Sequence, residues 1–225
     1  MDTINTWPTL GASKNMRIIS PSFEIINASI YLQKTIEIAG RVCYKSEDKI
    51  CDGSDAKFIE HLKGLHHDSV IEHGSITVKI VCDRGVSHEL VRHRLASYSQ
   101  ESTRYCNYSK DKFGNDITVI DIATGFNYDL SNPKDYAKYG IWRRAMIHAQ
   151  DMYMELLHRG ATAQEARSVL PNSLGTVVVI TANPREWRHI FKMRVAQSAH
   201  PQMREIMLPM LEEFKSKWPA IFGDL

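Results

Sequence analysis

An alternating segment, Ser75 to Cys82 (SITVKIVC), sets the main constraint on the fold. Apolar residues occupy positions 76, 78, 80 and 82, and polar residues occupy 75, 77 and 79. A period of two is typical of a strand with one buried and one solvent-facing side. Much later in the chain, the apolar run Leu174 to Thr181 (LGTVVVIT) predicts a second, buried strand. Any sheet must therefore pair segments that are far apart in sequence.

Capping signals predict helices around these strands. Asn132-Pro133 begins a long helix that Gly160 ends, and Thr162 with Glu165 forms a capping box for the next. We expect Gly40 to end the first helix, and Ser54 and Asp55 to cap the second. The segments predicted as helices are 29–40, 54–67, 86–93, 133–160, a short stretch after Thr162, one after Asn183-Pro184, and about 199–217.

Weaker strand signals lie at Met16 to Asn27, where Pro21 interrupts an Ile-rich segment as in an edge strand or a hairpin, and at Asp116 to Asp121. We therefore predict one mixed α+β domain over residues 16–225, with a central, mostly antiparallel sheet flanked by long helices, after a variable segment at residues 1–15. No GxGxxG or phosphate-loop motif occurs, so a flavin or nucleotide must be held in another way.

Other sequence signals favour a cytoplasmic protein without a metal. The four cysteines show neither a CxxC pair nor zinc spacing, and no carboxylate completes a site with His66, His67 and His73. No apolar run approaches the roughly 18 residues of a membrane span, and nothing resembles a signal peptide. We expect free thiols, no metal and no membrane partner.

A polar stretch from Arg94 to about Asn115 has little periodicity, and a loop of that length is usually functional. Just before and within it, residues 92–104 (RHRLASYSQESTR) crowd three arginines, one histidine, three serines and a threonine together. Guanidinium forks and hydroxyl groups are typical phosphate ligands. For an isolated Arg-His-Arg triplet, a solvated basic loop is the alternative interpretation.

This segment resembles the signature of flavin-dependent thymidylate synthases, Arg-His-Arg-x-x-Ser followed by a polar run and Ser-x-Arg. Three further elements follow the family's order: residues 72–75 (EHGS) are similar to its EHxS, and residues 166–171 (ARSVLP) to its ARxxLP. Asn183-Pro184-Arg185, with His189 and Arg194, is similar to its late flavin and nucleotide contacts. The resemblance covers roughly residues 16 to 218.

The resemblance implies a methyltransferase that converts dUMP to dTMP with FAD, with NADPH as reductant and 5,10-methylenetetrahydrofolate as carbon donor. It also implies a homotetramer whose active sites are shared between subunits. Arg194 would be catalytic, stabilising negative charge that develops on the uracil ring. The residues implied to bind FAD are His73, Ser75, Arg92, His93, Arg94, Gln100, Asn183, Arg185 and His189. The residues implied to bind dUMP are Glu89, Arg92, Gln100, Glu101, Ser102, Thr103, Arg104, Arg167 and Arg194.

Two arginines support a ligand site independently of the resemblance. Counting about 100° per residue from Trp187 places Arg194 at about −20°, inside the apolar stripe of its helix. Arg167 falls beside Ala166 and Leu170 on the helix after Thr162 by the same count. A buried arginine needs an anion or a dense set of acceptors, so each indicates either a bound anion or a structural ion pair.

One rival function and one rival mechanism remain open. A non-catalytic nucleotide- or RNA-binding module using the Arg/Ser/Tyr loop predicts salt-sensitive binding to oligonucleotides. The net charge of only +2 argues against long nucleic acid as the main partner. Cys106, near Arg104, is a candidate nucleophile, but the flavin route implied by the resemblance needs none, so we expect it to be dispensable.

Overall fold

The computed structural model describes residues 16–110 and 113–225, so the variable segment predicted at residues 1–15 lies outside the described residues. The strands are β1 (Arg17–Ile19), β2 (Ser22–Ala28), β3 (Ile76–Asp83), β4 (Ala96–Gln100), β5 (Thr118–Ile120) and β6 (Gly175–Ala182). The helices are α1 (Leu32–Tyr44), α2 (Ser54–Gly64), α3 (Arg84–Leu90), α4 (Pro133–His158), α5 (Ala163–Ala166), α6 (Pro184–Arg194), α7 (Pro201–Lys217) and α8 (Pro219–Phe222).

The main sheet has the strand order β2-β3-β6-β4, and each neighbouring pair is antiparallel. Alternate residues of its two central strands, among them Val78 and Ile80 of β3 and Val178 and Ile180 of β6, are fully buried. A smaller sheet pairs β1 with β5 in parallel. The predicted fold class and the face assignment of the alternating segment are therefore confirmed.

The buried face of the main sheet shares one apolar cluster with α6, α7 and α8. Rings of Trp187, Phe191, Phe214 and Phe222 meet there, with Phe191 and Phe214 centroids 5.0 Å apart. The indole of Trp187 also donates a hydrogen bond to the backbone oxygen of Ile76, at 3.0 Å. Burying each such ring contributes about 2–3 kcal/mol. This packing fixes α6 against the start of β3.

A second apolar cluster lies under α4, which contributes Met146 and Tyr153 to it. Within this cluster, the side chain of Gln150 accepts a hydrogen bond from the buried backbone N–H of Ile117, at 2.8 Å. The cluster anchors the chain between β4 and β5 to the long helix. Among the described residues, none of the helices, including α4, combines the length and the apolar character that crossing a bilayer requires.

Helix α1 starts at Leu32 and not at Ser29, and α2 ends at Gly64 and not at about His67. The predicted end of α1 and the predicted cap of α2 are also wrong. Helix α1 continues through Gly40 to Tyr44, because Gly40 serves a close approach between helices: a Cβ there would lie 2.6 Å from a ring carbon of Phe58 on α2. The N-cap of α2 is Gly53, which has a φ of 72°, and not Ser54 or Asp55. Ser54 already lies in the first turn of the helix, where its hydroxyl accepts a bond from the N–H of Cys51.

The prediction of an unbroken loop from 94 to about 115 is also wrong. Residues 96–100 form β4, whose register with β6 runs from Ala96 opposite Ala182 to Gln100 opposite Val178. Ser97 and Ser99 occupy the exposed face of this edge strand. Ala96 and Tyr98 on the other face pack against the main core. Because only these two apolar residues alternate with the serines, the period of two is too short to stand out in the sequence.

Candidate active site

The strand register gathers one group of candidate residues at one end of the main sheet. Ile76 at the start of β3 lies opposite Ala182 at the end of β6, and Ala182 lies opposite Ala96 at the start of β4. The segments before β3, before β4 and after β6 therefore meet at this end. We call it the packed end, made of His73, Ser75, Glu89, Arg92, His93, Arg94, Asn183, Arg185, Glu186, His189 and Arg194.

Arg194 is the most constrained side chain of the packed end, and only 16% of it is exposed. Its Nε donates to Nε2 of His93 at 3.0 Å, and its Nη1 and Nη2 donate to the carboxylate and the backbone oxygen of Glu89 at 2.7 and 2.9 Å. Of the two interpretations that the sequence left open for Arg194, a bound anion or a structural ion pair, the ion pair is present and its partner is Glu89. These bonds use three of the five guanidinium N–H groups, which leaves two for a ligand.

His93 is buried, and polar groups lie next to both of its ring nitrogens and its backbone oxygen. Its Nδ1 lies 3.5 Å from a carboxylate oxygen of Glu186, and the hydroxyl of Tyr98 lies 2.9 Å from its backbone oxygen. Burial, reinforced by the nearby Arg194 and His189, lowers the pKa of His93 to about 4. The imidazole is therefore neutral at pH 7. Burial also raises the pKa of Glu186 above its usual value.

The ligand atoms of His93, Glu186 and His189 lie within 4.8 Å of one another, a spacing that also suits a metal ion. However, the guanidinium of Arg194 is bonded to the same imidazole and is permanently charged. A fixed positive charge at that distance opposes the binding of a cation. We therefore interpret these three residues as a polar cluster around the neutral imidazole of His93.

The rest of the packed end suits an anion. Arg92 and Arg94 are exposed, and neither guanidinium has a hydrogen bond or an ion pair within the described part of the chain. Asn183 caps α6 by accepting a bond from the N–H of Glu186 at 2.8 Å, as its position before a proline predicts. The N-terminus of a helix carries positive partial charge. Arg185, in the first turn, pairs with the carboxylate of Glu72, the residue before His73.

The opposite end of β4 carries the remaining candidates, and we call it the open end: Gln100, Glu101, Ser102, Thr103, Arg104, Gln164 and Arg167. The backbone oxygen of Ser102 accepts bonds from the N–H groups of Tyr105 and Cys106, which forms a tight turn. Arg104 is exposed, and its Nε donates to the side-chain oxygen of Gln164 at 3.2 Å. The turn is thereby linked to α5, three residues before Arg167.

The prediction that Arg167 is buried is wrong. Helix α5 ends at Ala166 after a single turn, and Arg167 begins a 3-10 turn that runs to Val169. The helical phase that placed Arg167 beside Ala166 and Leu170 therefore does not apply, and its side chain is exposed. An exposed arginine needs no internal partner, so the position of Arg167 does not by itself indicate a bound anion.

Sequence reasoning missed Arg84, which organises the open end. Its guanidinium donates to the backbone oxygen of Glu101 at 3.1 Å and to the hydroxyl of Thr103 at 3.3 Å. The hydroxyl of the buried Tyr108 donates to the carboxylate of Glu101 at 2.9 Å, and burial raises the pKa of that tyrosine. The available signal was local: Asp83, just before Arg84, is a helix N-cap that ends a strand.

The side chain of Gln100 points inward and is hydrogen-bonded within the protein. Its amide nitrogen donates to the hydroxyl of Ser87 on α3 at 2.9 Å. From Ala96 to Gln100 the strand rises about 13 Å, at about 3.3 Å per residue. The residues predicted to bind dUMP are thus divided between both ends of β4. Glu89, Arg92 and Arg194 lie at the packed end, whereas Ser102, Arg104 and Arg167 lie at the open end.

Comparisons with known proteins match this architecture. Residues 24–220 fit the family model described as thymidylate synthase complementing protein. The chain is 33% identical over 199 residues to the flavin-dependent thymidylate synthase of Geobacter sulfurreducens, covering 85% of this chain and 81% of that protein. It is 31% identical over 191 residues to the protein of the same name from Pyrococcus furiosus, covering 82% and 75%.

A solved structure is also similar. It is the UMP/dUMP methylase PolB from Streptomyces cacaoi, bound with 5-Br dUMP. The TM-score is 0.78 at 25% sequence identity, and the match covers 92% of this chain and 96% of that chain.

Proposed function

The chain belongs to the thymidylate synthase complementing protein family, and from that membership we propose that it is a flavin-dependent enzyme that methylates dUMP to dTMP. The observation that carries this proposal is the packed end, where a half-buried guanidinium keeps free N–H groups beside two exposed arginines and a helix N-terminus. We further propose FAD as the flavin, NADPH as its reductant and 5,10-methylenetetrahydrofolate as the carbon donor.

The donors of the packed end suit FAD, whose pyrophosphate needs fixed N–H groups and positive charge. We assign this role to Arg92, Arg94 and the N-terminus of α6. Arg185, His73, Ser75, Asn183 and His189 would contact the rest of the cofactor, and the neutral His93 would face it. When bound, FAD supplies the hydride chemistry that completes the methyl group. The protein contributes position and charge.

At the open end we assign the dUMP phosphate and sugar to Arg104, Arg167 and Ser102. A guanidinium and a hydroxyl on a tight turn are suited to phosphate oxygens. Glu101 and Thr103 would shape this turn, because Arg84 and Tyr108 hold them in place. Gln100 would support this turn from the inner side of β4, where it is bonded to Ser87.

We assign charge stabilisation on the uracil ring to Arg194, with Glu89 orienting it. A guanidinium fixed in place before the reaction stabilises developing negative charge without reorganising. Two guanidinium N–H groups remain for that contact after the bonds to His93 and Glu89.

We also propose a homotetramer in which the packed end of one subunit completes a site with the open end of another. The separation of Arg194 from Arg104 along β4 supports this arrangement. So does the apolar outer face of α1 and its N-cap, since Ile38 and Val42 on the helix and Tyr31 at the cap are 53%, 52% and 73% exposed. The cytoplasmic location expected from the sequence stays a prediction.

The test is spectroscopic and enzymatic. Protein purified with added FAD should show an absorption band at about 450 nm and form dTMP from dUMP, NADPH and methylenetetrahydrofolate. Omitting each substrate in turn is the control. Colourless protein without FAD binding by calorimetry would refute the proposal. Salt-sensitive binding of an oligonucleotide by that protein would favour the nucleic-acid-binding alternative.

A further inference from the structure

We propose that Glu186 is a positioning residue that acts on Arg194 through His93. Its carboxylate oxygen accepts the Nδ1 proton of the imidazole, and this keeps Nε2 free to accept the N–H of the guanidinium. The contribution of Glu186 to turnover rests on the proposed function, since it depends on the role of Arg194. The hydrogen-bond arrangement itself does not.

The direction of the bonds follows from the chemistry of arginine. A guanidinium keeps all its protons in proteins, so Nε of Arg194, at 3.0 Å, must be the donor to Nε2 of His93. That nitrogen therefore carries a lone pair. A neutral imidazole has one N–H, which must then be on Nδ1. The atom that faces Nδ1 is a carboxylate oxygen of Glu186, 3.5 Å away.

Glu186 is placed for this task by its helix. It is 6% exposed, and its backbone N–H is held by the cap residue Asn183 at 2.8 Å. Since Glu186 and Arg194 belong to the same helix, they hold His93 from two points of one rigid element. Tyr98 fixes the backbone oxygen of the same histidine from β4. The ring is thus hydrogen-bonded at Nε2, faces a carboxylate at Nδ1 and is fixed at its backbone oxygen.

Removing the acceptor changes which tautomer is favoured. With an apolar side chain at 186, the N–H on Nδ1 would be buried without its partner, which is unfavourable. The other tautomer would move the proton to Nε2, where it would oppose the N–H of Arg194. In that second tautomer Arg194 loses its bond to Nε2, which is one of its three anchoring bonds. A glutamine at 186 keeps an oxygen acceptor of the same length, so it should preserve the arrangement.

The experiment compares Glu186→Gln with Glu186→Leu, and uses Asp224→Asn as the matched control. Asp224 pairs with Arg188 at 2.6 Å, and Arg188 lies on a different face of α6 from Glu186. The control weakens a contact of the same helix and leaves the His93 contacts intact. Two measurements are made: ¹⁵N NMR of histidine-labelled protein, with His93 assigned from the signal lost in His93→Gln, and steady-state kinetics of the FAD-loaded enzyme.

We expect the Nδ1–H tautomer of His93 in the wild type and in Glu186→Gln, and its loss in Glu186→Leu. The Leu variant should lose about tenfold in kcat, comparable to losing a residue that orients a ligand, with KM for dUMP and FAD affinity nearly unchanged. Glu186→Gln should retain kcat within about twofold, because its oxygen still accepts the bond. Asp224→Asn should lower Tm and leave kcat unchanged.

The inference would be overturned by an Nε2–H tautomer in the wild type, by a Leu variant with wild-type tautomer and kcat, or by a control that loses as much kcat as the Leu variant. A Gln variant as impaired as Leu would also overturn it. If Glu186→Leu does not fold, Glu186→Met takes its place. A wild type that forms no dTMP would refute the proposed function alone, because the NMR result needs no turnover.

Discussion

The two ends of β4 are built in different ways. At the packed end, His93 and Glu186 are 7% and 6% exposed, and Arg194 is held by three hydrogen bonds. At the open end, Arg104 and Arg167 are exposed, and Arg104 is held by a surface bond to Gln164. A group that is fixed before the ligand arrives can stabilise a transition state, whereas an exposed one mainly contributes to binding. The packed end should therefore control turnover and the open end affinity.

The largest effect should come from the packed end. Arg194→Ala should lower turnover about a hundredfold, since a guanidinium aimed at developing charge contributes about 3 kcal/mol. FAD affinity should fall far less, because the proposed flavin contacts lie elsewhere at this end. Steady-state kinetics and flavin titration measure the two effects separately.

Arg194→Lys sharpens this result. Lysine keeps the charge but cannot form the paired bonds to His93 and Glu89, so it should restore only part of the activity. Normal turnover in Arg194→Ala would show that the packed end does not act on the reaction.

The next effect concerns the stability of the packed end against acid. The pKa of His93 is about 4 in the folded protein, below the roughly 6.5 of an unfolded histidine. Between these values the unfolded chain binds more protons, so stability falls as pH falls from about 6.5 to 4. We expect this residue to account for a loss of about 2–3 kcal/mol, measured by urea unfolding at pH 7 and at pH 4.

His93→Gln removes this titration and keeps an acceptor for Arg194, so its stability should depend less on pH. Glu186 acts in the opposite direction, because burial raises its pKa and favours the folded state at lower pH. The difference in the pH dependence of unfolding free energy between the wild type and His93→Gln therefore gives the contribution of the histidine. Identical pH dependence in the two proteins would contradict burial of a neutral imidazole.

The packed end could be predicted in part from the sequence. The apolar stripe of α6 correctly placed Arg194 at a half-buried position, because Trp187 and Phe191 define that stripe locally. Its partners Glu89 and His93 lie about a hundred residues earlier, and no local spacing links them. Glu186 was missed because a glutamate in the first turn of a helix is already explained by the helix dipole.

The open end was harder to predict, for physical reasons. Strand β4 was missed because only two apolar residues, Ala96 and Tyr98, alternate with Ser97 and Ser99, which is too few for a period of two to stand out. The exposure of Arg167 depends on α5 ending after one turn, which the capping box at Thr162 does not determine. The end of α1 was also not determined by local sequence, since a glycine such as Gly40 indicates either a helix end or a close contact between helices.

A smaller effect is expected at the open end. Arg104→Ala should raise KM for dUMP about tenfold and leave kcat nearly unchanged, because one charge-assisted phosphate contact contributes about 1.5 kcal/mol. The same change at Arg159, an exposed arginine on the surface after α4, is the control and should alter neither constant. A fall in kcat with unchanged KM would place Arg104 in the chemical step and remove the contrast between the ends.

The smallest effect should come from Cys106, which lies in the turn of the open end. Cys106→Ser should keep most activity at saturating dUMP, since reduced flavin and not a thiolate is proposed to drive the reaction. Mass spectrometry should find no covalent adduct between the wild type and the nucleotide. A Cys106→Ser enzyme that binds FAD and dUMP but forms no dTMP would instead make the thiol a nucleophile.

Subunit mixing tests most directly whether the two ends belong to one active site shared between copies. Arg194→Ala and Arg104→Ala chains carrying different tags are co-expressed, and tetramers containing both are isolated and assayed for kcat/KM with dUMP. If each site takes its packed end from one subunit and its open end from another, about a quarter of the sites regain both arginines. The mixed tetramers should then show about a quarter of wild-type kcat/KM. Activity no greater than the mean of the two homogeneous variants would contradict a shared site.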